Sequence, residues 1–259
     1  MRKQDLPITL EVCVDSLTSA QLAAQGGAHR VELNAALELG GMTPSIGVVE
    51  QTVATLEPMG CEIIAMVRPR PGGFAYNTEE LAVMRCDIDR LLEAGVDGVA
   101  LGVLAADGTI DEQTNRALID PVLRAGKQAV FHRAFDLTPK PIAAVDDLIA
   151  LGFTRILTSG QAVTAIKGAD SIRQLIEHAD NRIEILPGSG ITPDNATQLI
   201  RETGCNQVHA SLRSTVTDAM GVLNPAVRFN LPGMQENTYS RADAQKVKAM
   251  LDVLRAIEP

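Results

Sequence analysis

One recurring unit organises the apolar and polar positions of this chain: a segment with helical spacing ends at glycine, a few residues follow, and a short β-branched run begins. Gly26-Gly27-Ala28-His29-Arg30-Val31-Glu32-Leu33, Gly95-Val96-Asp97-Gly98-Val99-Ala100-Leu101, Gly152-Phe153-Thr154-Arg155-Ile156-Leu157-Thr158 and Gly204-Cys205-Asn206-Gln207-Val208-His209 all follow it. Gly60 before Cys61-Glu62-Ile63-Ile64 and Gly126 before Lys127-Gln128-Ala129-Val130 read the same way. Glycine suits the left-handed residue just past a helix carboxyl end, and the short link is that of αβ loops in parallel-sheet units. The opening run Ile8-Thr9-Leu10-Glu11-Val12-Cys13 and the run Ile183-Glu184-Ile185-Leu186 bring the strands to eight. Their spacing of about 22 to 36 residues leaves room for one crossover helix each. Helix starts are marked by Thr43-Pro44-Ser45, Asn77-Thr78-Glu79-Glu80, Pro139-Lys140-Pro141 and Thr192-Pro193-Asp194-Asn195. A last helix is expected from Ser240, with Ala244, Val247, Met250, Leu251 and Leu254 at helical spacing.

This alternation predicts an α/β fold, a single (β/α)8 TIM barrel of eight parallel strands forming one domain over residues 1–259. An open doubly wound sheet uses the same alternation but marks its nucleotide site with a glycine-rich loop after the first strand. Here that loop reads Cys13-Val14-Asp15-Ser16-Leu17, which favours the barrel. Leu212 to Tyr239 lacks a clear period, so residues 212–239 are expected as a long loop at the barrel mouth.

Composition narrows the partners. The formal charge of -9 repels a phosphate backbone, and 3% aromatic content with no Trp leaves few stacking platforms, so nucleic acid is not expected as a partner. No apolar run approaches the ~18 residues of a membrane span. Met1 to Pro7 contains no apolar core followed by a small-residue cleavage site, so a soluble cytoplasmic protein is expected. Cys13, Cys61, Cys86 and Cys205 are widely spaced, which suits reduced thiols rather than a disulfide frame or structural zinc.

Active sites of such barrels are built from the carboxyl ends of the strands. Those ends supply Glu11 and Cys13, Glu32 and Asn34, Arg68 and Arg70, His132, Ser159, the Gly188-Ser189-Gly190 turn, and His209 with Ser211. Arg68 and Arg70, two apart, would project to one side of an extended chain and could clamp a carboxylate or phosphate. Equally, they could neutralise Glu11 and Glu32. His132 is followed closely by Asp136, which could orient its imidazole for acid-base work, with Glu32 or Glu11 as counterpart. The Gly188 to Gly190 turn could offer backbone N–H groups to an anion, or merely make a tight connection. His209 lacks an adjacent acid in sequence, and His29 and His178 read as surface residues. Only Cys13 among the thiols points near the mouth, and a single cysteine makes a poor soft-metal centre.

Leu10-Glu11-Val12-Cys13-Val14-Asp15-Ser16, Gly40-Gly41-Met42-Thr43-Pro44-Ser45, Val67-Arg68-Pro69-Arg70, Phe131-His132-Arg133-Ala134-Phe135-Asp136 and Leu157-Thr158-Ser159-Gly160 closely resemble the CutC family, named for copper homeostasis. The resemblance runs over nearly the whole chain. It implies a cytoplasmic (β/α)8 barrel, a homo-oligomer with a dimer favoured, and a link to copper(I). Many relatives carry cysteine at the position of Asn34, and Asn is a hard, neutral ligand that cannot replace a thiolate.

Two functions therefore stand side by side. One is copper handling through Cys13, with His132 or His209, or through ligands supplied across an oligomer interface. The other is an enzyme of lyase, isomerase or hydrolase type acting on a small phosphorylated or carboxylated metabolite. In that case Arg68, Arg70, Ser159, Gly188, Ser189, Gly190, His209 and Ser211 would bind substrate, and His132, Glu32, Glu11 and Asp136 would carry the chemistry. No cofactor fingerprint accompanies these residues.

Overall fold

The computed structural model describes residues 8–221, 224, 226–229, 233 and 235–257. The expectation for Met1 to Pro7 lies outside the described residues. Eight parallel strands form the barrel: β1 (Thr9–Val14), β2 (Arg30–Leu33), β3 (Glu62–Met66), β4 (Gly98–Leu101), β5 (Gln128–Phe131), β6 (Arg155–Thr158), β7 (Glu184–Pro187) and β8 (Gln207–Ala210). Hydrogen bonding runs in the order β7-β6-β5-β4-β3-β2-β1-β8, and a parallel bridge between Gly188 and His209 joins the two ends. The (β/α)8 architecture expected from the glycine-punctuated repeat is the one observed.

The crossover helices are α1 (Leu17–Gln25), α2 (Ile46–Leu56), α3 (Thr78–Glu93), α4 (Glu112–Arg124), α5 (Pro141–Leu151), α6 (Ala169–Ala179) and α7 (Pro193–Thr203), with α8 (Ala244–Arg255) completing the ring. Their starts follow the local chemistry. Ser45 accepts from Val48 N at the head of α2, and Asn77 and Glu80 form a reciprocal capping box at α3. Pro141 and Pro193 occupy first-turn positions whose N–H would have no helical partner.

Strand alternation sorts the core into two regions. Residues such as Leu10, Val12, Val31, Leu33, Ile63 and Val67 face outward and pack with the helices. The inward set differs in character around the barrel. Ile64, Met66, Ala100 and Val130 make a small separate apolar cluster in the lumen. Around β1, β2, β6, β7 and β8 the lumen is polar: Arg30 is ion-paired with Glu11 and donates to Gln207 Oε1 at 3.0 Å, while Arg155 donates to Glu184 at 3.0 Å and to Gln128 at 2.8 Å. At Gly98 a Cβ would stand 2.5 Å from the Gln128 carbonyl oxygen, so β4 and β5 approach too closely there for any side chain.

The chain after β8 differs from expectation. In place of a loop without secondary structure, β9 (Arg213–Thr217) and β10 (Thr238–Ala242) pair as an antiparallel ribbon. Ser240 lies in β10, opposite Thr215, and α8 begins at Ala244 with Asp243 accepting from Gln245 N and Lys246 N. The apolar spacing that predicts this helix belongs to Val247 onward, whereas Ser240 is held by its ladder partner. Residues 222, 223, 225, 230–232 and 234 of this segment lie outside the description. No helix among the described residues is long and apolar enough to cross a membrane.

Candidate functional site

The register of β8, β1 and β2 builds one cluster. Glu11 stands level with His209 on one side and Arg30 on the other, and Cys13 stands level with Glu32. Residues two apart share a face, so Glu11 and Cys13, Arg30, Glu32 and Asn34, and Gln207 and His209 all enter the lumen together. Glu11 Oε1 lies 2.7 Å from His209 Nδ1, and its other oxygen accepts from Arg30. The Cys13 thiol donates to Glu32 Oε2 at 3.6 Å. Asn34 Nδ2 reaches Glu32 Oε2 at 3.0 Å and Cys13 Sγ at 3.5 Å. One donor atom each from Cys13, Glu32 and His209 lies within 4.8 Å of the others.

Charge is distributed unevenly over this cluster. Burial opposes ionisation of Glu11, but Arg30 and His209 hold its carboxyl well below the usual range. Burial pushes the Glu32 carboxyl up, and the neighbouring Glu11 charge adds to the rise. His209 is raised well above an ordinary histidine: burial disfavours its charge, but contacts with Cys13 and Glu11 and the charge of Glu32 outweigh it. The Cys13 thiol is pushed up to about 11 by desolvation, with Glu32 adding to it. An imidazolium between two acids beside a protonated thiol is a compact store of protons that a cation could displace.

The other side of the mouth departs from the expected arginine clamp. Arg68 is buried and its guanidinium donates to the carbonyls of Gly40, Gly41 and Gly72 at 3.2, 3.1 and 2.8 Å. Arg70 instead pairs with Glu80 and donates to the carbonyls of Gly73 and Ala75, bracing the start of α3. The two guanidinium groups share no ligand-facing side, because the chain, still bonded to β4 through Val67 N and the Ala100 carbonyl, bends at Pro69 and Arg70. Neither is paired with Glu11 or Glu32; the arginine on Glu11 is Arg30, which was not singled out from the sequence although it sits two residues before Glu32.

His132 accepts from Ala134 N at Nδ1 (3.2 Å) and its ring packs edge-on to Phe74 at 4.8 Å. Burial, with the Arg68 charge, pushes it down to about 3, so the ring is neutral. Asp136 does not orient it. That carboxylate accepts from Thr158 Oγ1 at 2.5 Å, Ser159 N at 3.0 Å and Ser159 Oγ at 2.9 Å, and pairs with Arg133, tying the end of β6 to the turn after β5. Ser159 is occupied by the same network through Asp136, Arg133 and the Ala162 carbonyl.

In the turn after β7, Ser189 takes φ +85° and its hydroxyl donates to the Val163 carbonyl at 3.0 Å. Gly188 packs against Leu157 and His209, while the carbonyl of Gly190 accepts from Asn195 at 2.8 Å. Ser211 is exposed beyond β8. Of the remaining histidines, His178 meets Asp146 at 2.9 Å, and His29 accepts from Leu10 N at 2.9 Å and is exposed. All four cysteines are free, with Cys86 exposed on α3 and Cys61 and Cys205 buried away from the cluster.

Known proteins place this barrel. The family model for the CutC family matches residues 8–214. A CutC family protein of Treponema denticola is 43% identical over 222 residues, covering 86% of this chain and 88% of that protein. The human copper homeostasis protein cutC homolog is 37% identical over 249 residues, covering 96% and 89%. A crystal structure of CutC from Streptococcus agalactiae superposes with a TM-score of 0.75 at 38% identity, covering 79% of this chain and 98% of that one. The chain belongs to the CutC family.

Proposed function

We propose that this protein handles copper by binding the ion at Cys13, His209 and Glu32. The observation that carries the reading is the convergence of one sulfur, one imidazole nitrogen and one carboxylate oxygen within 4.8 Å. The sequence places the histidine 196 positions from Cys13, and a lone cysteine looks insufficient until β8 closes against β1. Glu11 supports the assignment: by accepting from His209 Nδ1 at 2.7 Å it leaves Nε2 for a metal, the carboxylate-histidine arrangement common around metal ligands. Asn34 takes no part as a soft ligand. Its amide donates toward Cys13 and Glu32 and so positions both. The copper homeostasis name of the human relative agrees with this reading.

Titration of the purified protein with copper(I) against a competing chelator tests it. Stoichiometric binding is expected in the wild type, with a loss of at least about tenfold in Cys13→Ser and in His209→Gln. Equal affinity in all three proteins would remove the assignment.

Four free thiols support a reducing, cytoplasmic setting. Exposed apolar side chains after β8, Met220, Val227 and Phe229 with Phe229 at 92% exposure, support a homo-oligomer, which light scattering would measure. The enzymatic alternative would draw on Arg68 and His132, while Arg70 and Asp136 carry ion pairs with Glu80 and Arg133.

A further inference from the structure

Among the described residues three buried arginines enter the lumen, and one of them is unlike the others. Arg30 is ion-paired with Glu11 and Arg155 with Glu184. Arg68, only 7% exposed, has no carboxylate within ion-pair distance among the described residues. Its neighbours are carbonyl oxygens, the neutral Tyr76 phenol and the Phe74 ring, whose centroid lies 4.9 Å from the guanidinium carbon. Its Nε is buried with no hydrogen-bond partner. Carbonyl dipoles and a ring face soften the desolvation of a guanidinium, but a full counter-charge is the usual solution.

The same aromatic ring carries a second unsatisfied donor. His132, 3% exposed, packs against Phe74 at 4.8 Å. Because its Nδ1 accepts from Ala134 N, the ring proton of the neutral imidazole sits on Nε2, and that atom is buried without a partner. Arg68 follows Ile64 and Met66, and His132 follows Val130, in the inward-facing alternation that forms the luminal apolar cluster. Each unmet buried donor costs stability, so two of them on inward-facing residues around one ring mark a place for an acceptor.

We propose that Arg68 and His132 form a site for a small oxyanion, a phosphate or carboxylate group, in the lumen beneath Phe74. Arg68 supplies the charge and an Nε–H donor, and His132 supplies a neutral N–H donor. Phe74, on the β3–α3 loop and fastened by the Leu104 N to Phe74 carbonyl bond of 2.9 Å, shields the site from bulk water. The site does not depend on the sulfur-containing cluster, and it gives the family barrel a capacity for organic or inorganic anions beside a metal.

The full chain labelled with 15N-histidine, free of metal, is titrated with inorganic phosphate and separately with acetate. The His132 Nε2 resonance is expected to move saturably, with affinity weakened about tenfold or more in His132→Gln by calorimetry, as expected for a lost hydrogen bond to a charged group. Arg68→Lys serves as a second variant, with a similar weakening, because an ammonium cannot keep the Nε geometry. Saturation by phosphate alone assigns a phosphoryl group, and saturation by acetate assigns a carboxylate. A His132 signal unmoved by either, or a shift that only rises linearly, overturns the proposal and leaves the donors to water. Because no copper is present, this result stands apart from the fate of the copper reading.

Discussion

Glu11 and His209, 198 positions apart in sequence, meet at 2.7 Å across the seam where the last barrel strand closes on the first. The contact turns a histidine with no acid near it in sequence into an imidazolium oriented by a buried carboxylate. It also couples closure of the barrel to formation of the candidate metal cluster.

Metal binding is expected to strengthen steeply with pH. His209 is raised well above 6.5 and Cys13 is pushed up to about 11, so both carry protons near neutrality and both must lose them to bind a metal. The apparent affinity should climb by up to about 100-fold per pH unit while both protons are displaced. Chelator competition at several pH values would show this, and a flat profile would exclude Cys13 and His209 as joint ligands.

Removing the Glu11 charge is expected to destabilise the fold. Glu11→Gln removes the nearer and buried counter-ion of Arg30 and leaves it only the exposed Glu62 carboxylate at 3.7 Å, at a cost of about 3–5 kcal/mol in denaturant unfolding. It should also lower the His209 pKa in an NMR titration, since one of the two flanking acids is gone. A change below about 1 kcal/mol would show that Gln207 and Glu62 suffice for Arg30.

Stability is expected to have an acid limb set by His132. Its folded pKa lies near 3 against 6.5 for an unfolded chain, so the unfolded state takes up a proton first. Stability contributed by the neutral ring is therefore present above about pH 6.5 and lost as the pH falls toward 3. His209 acts with the opposite sign: its raised pKa contributes stability that is present below about 6.5 and lost at higher pH. His132→Gln should flatten the acid limb in unfolding measured between about pH 4 and 7, and an unchanged slope would assign it to other groups.

Arg70→Ala is expected to leave copper and anion binding unaltered while lowering the unfolding midpoint only slightly, because Arg70 braces Glu80 in the α3 capping box from a solvent-screened position. Gly41→Ala is expected to do the reverse of leaving the site alone. Gly41 takes φ +81°, and a Cβ there would stand 2.3 Å from Asn34 Oδ1, so Asn34 must shift and release Cys13 and Glu32. Weakened copper(I) affinity, alongside a loss of about 1–2 kcal/mol for the strained backbone, would be seen by titration and unfolding.

Local chemistry already determined the eight strands, the helix starts at Ser45, Asn77, Pro141 and Pro193, and the inward positions Glu11, Glu32, Arg68, His132 and His209. These follow from period-two alternation, glycine punctuation and capping residues, all of which act within a few positions of each other. Partnership between the inward residues was not legible in the same way. Asp136 lies near His132 in sequence yet turns to β6, Arg70 lies near Arg68 yet turns to Glu80, and the residues that complete the cluster come from opposite ends of the chain. Which charges meet depends on barrel closure, strand register and the direction each loop takes after its strand. Those quantities are set by the summed packing of the whole core, and tertiary structure alone decides them.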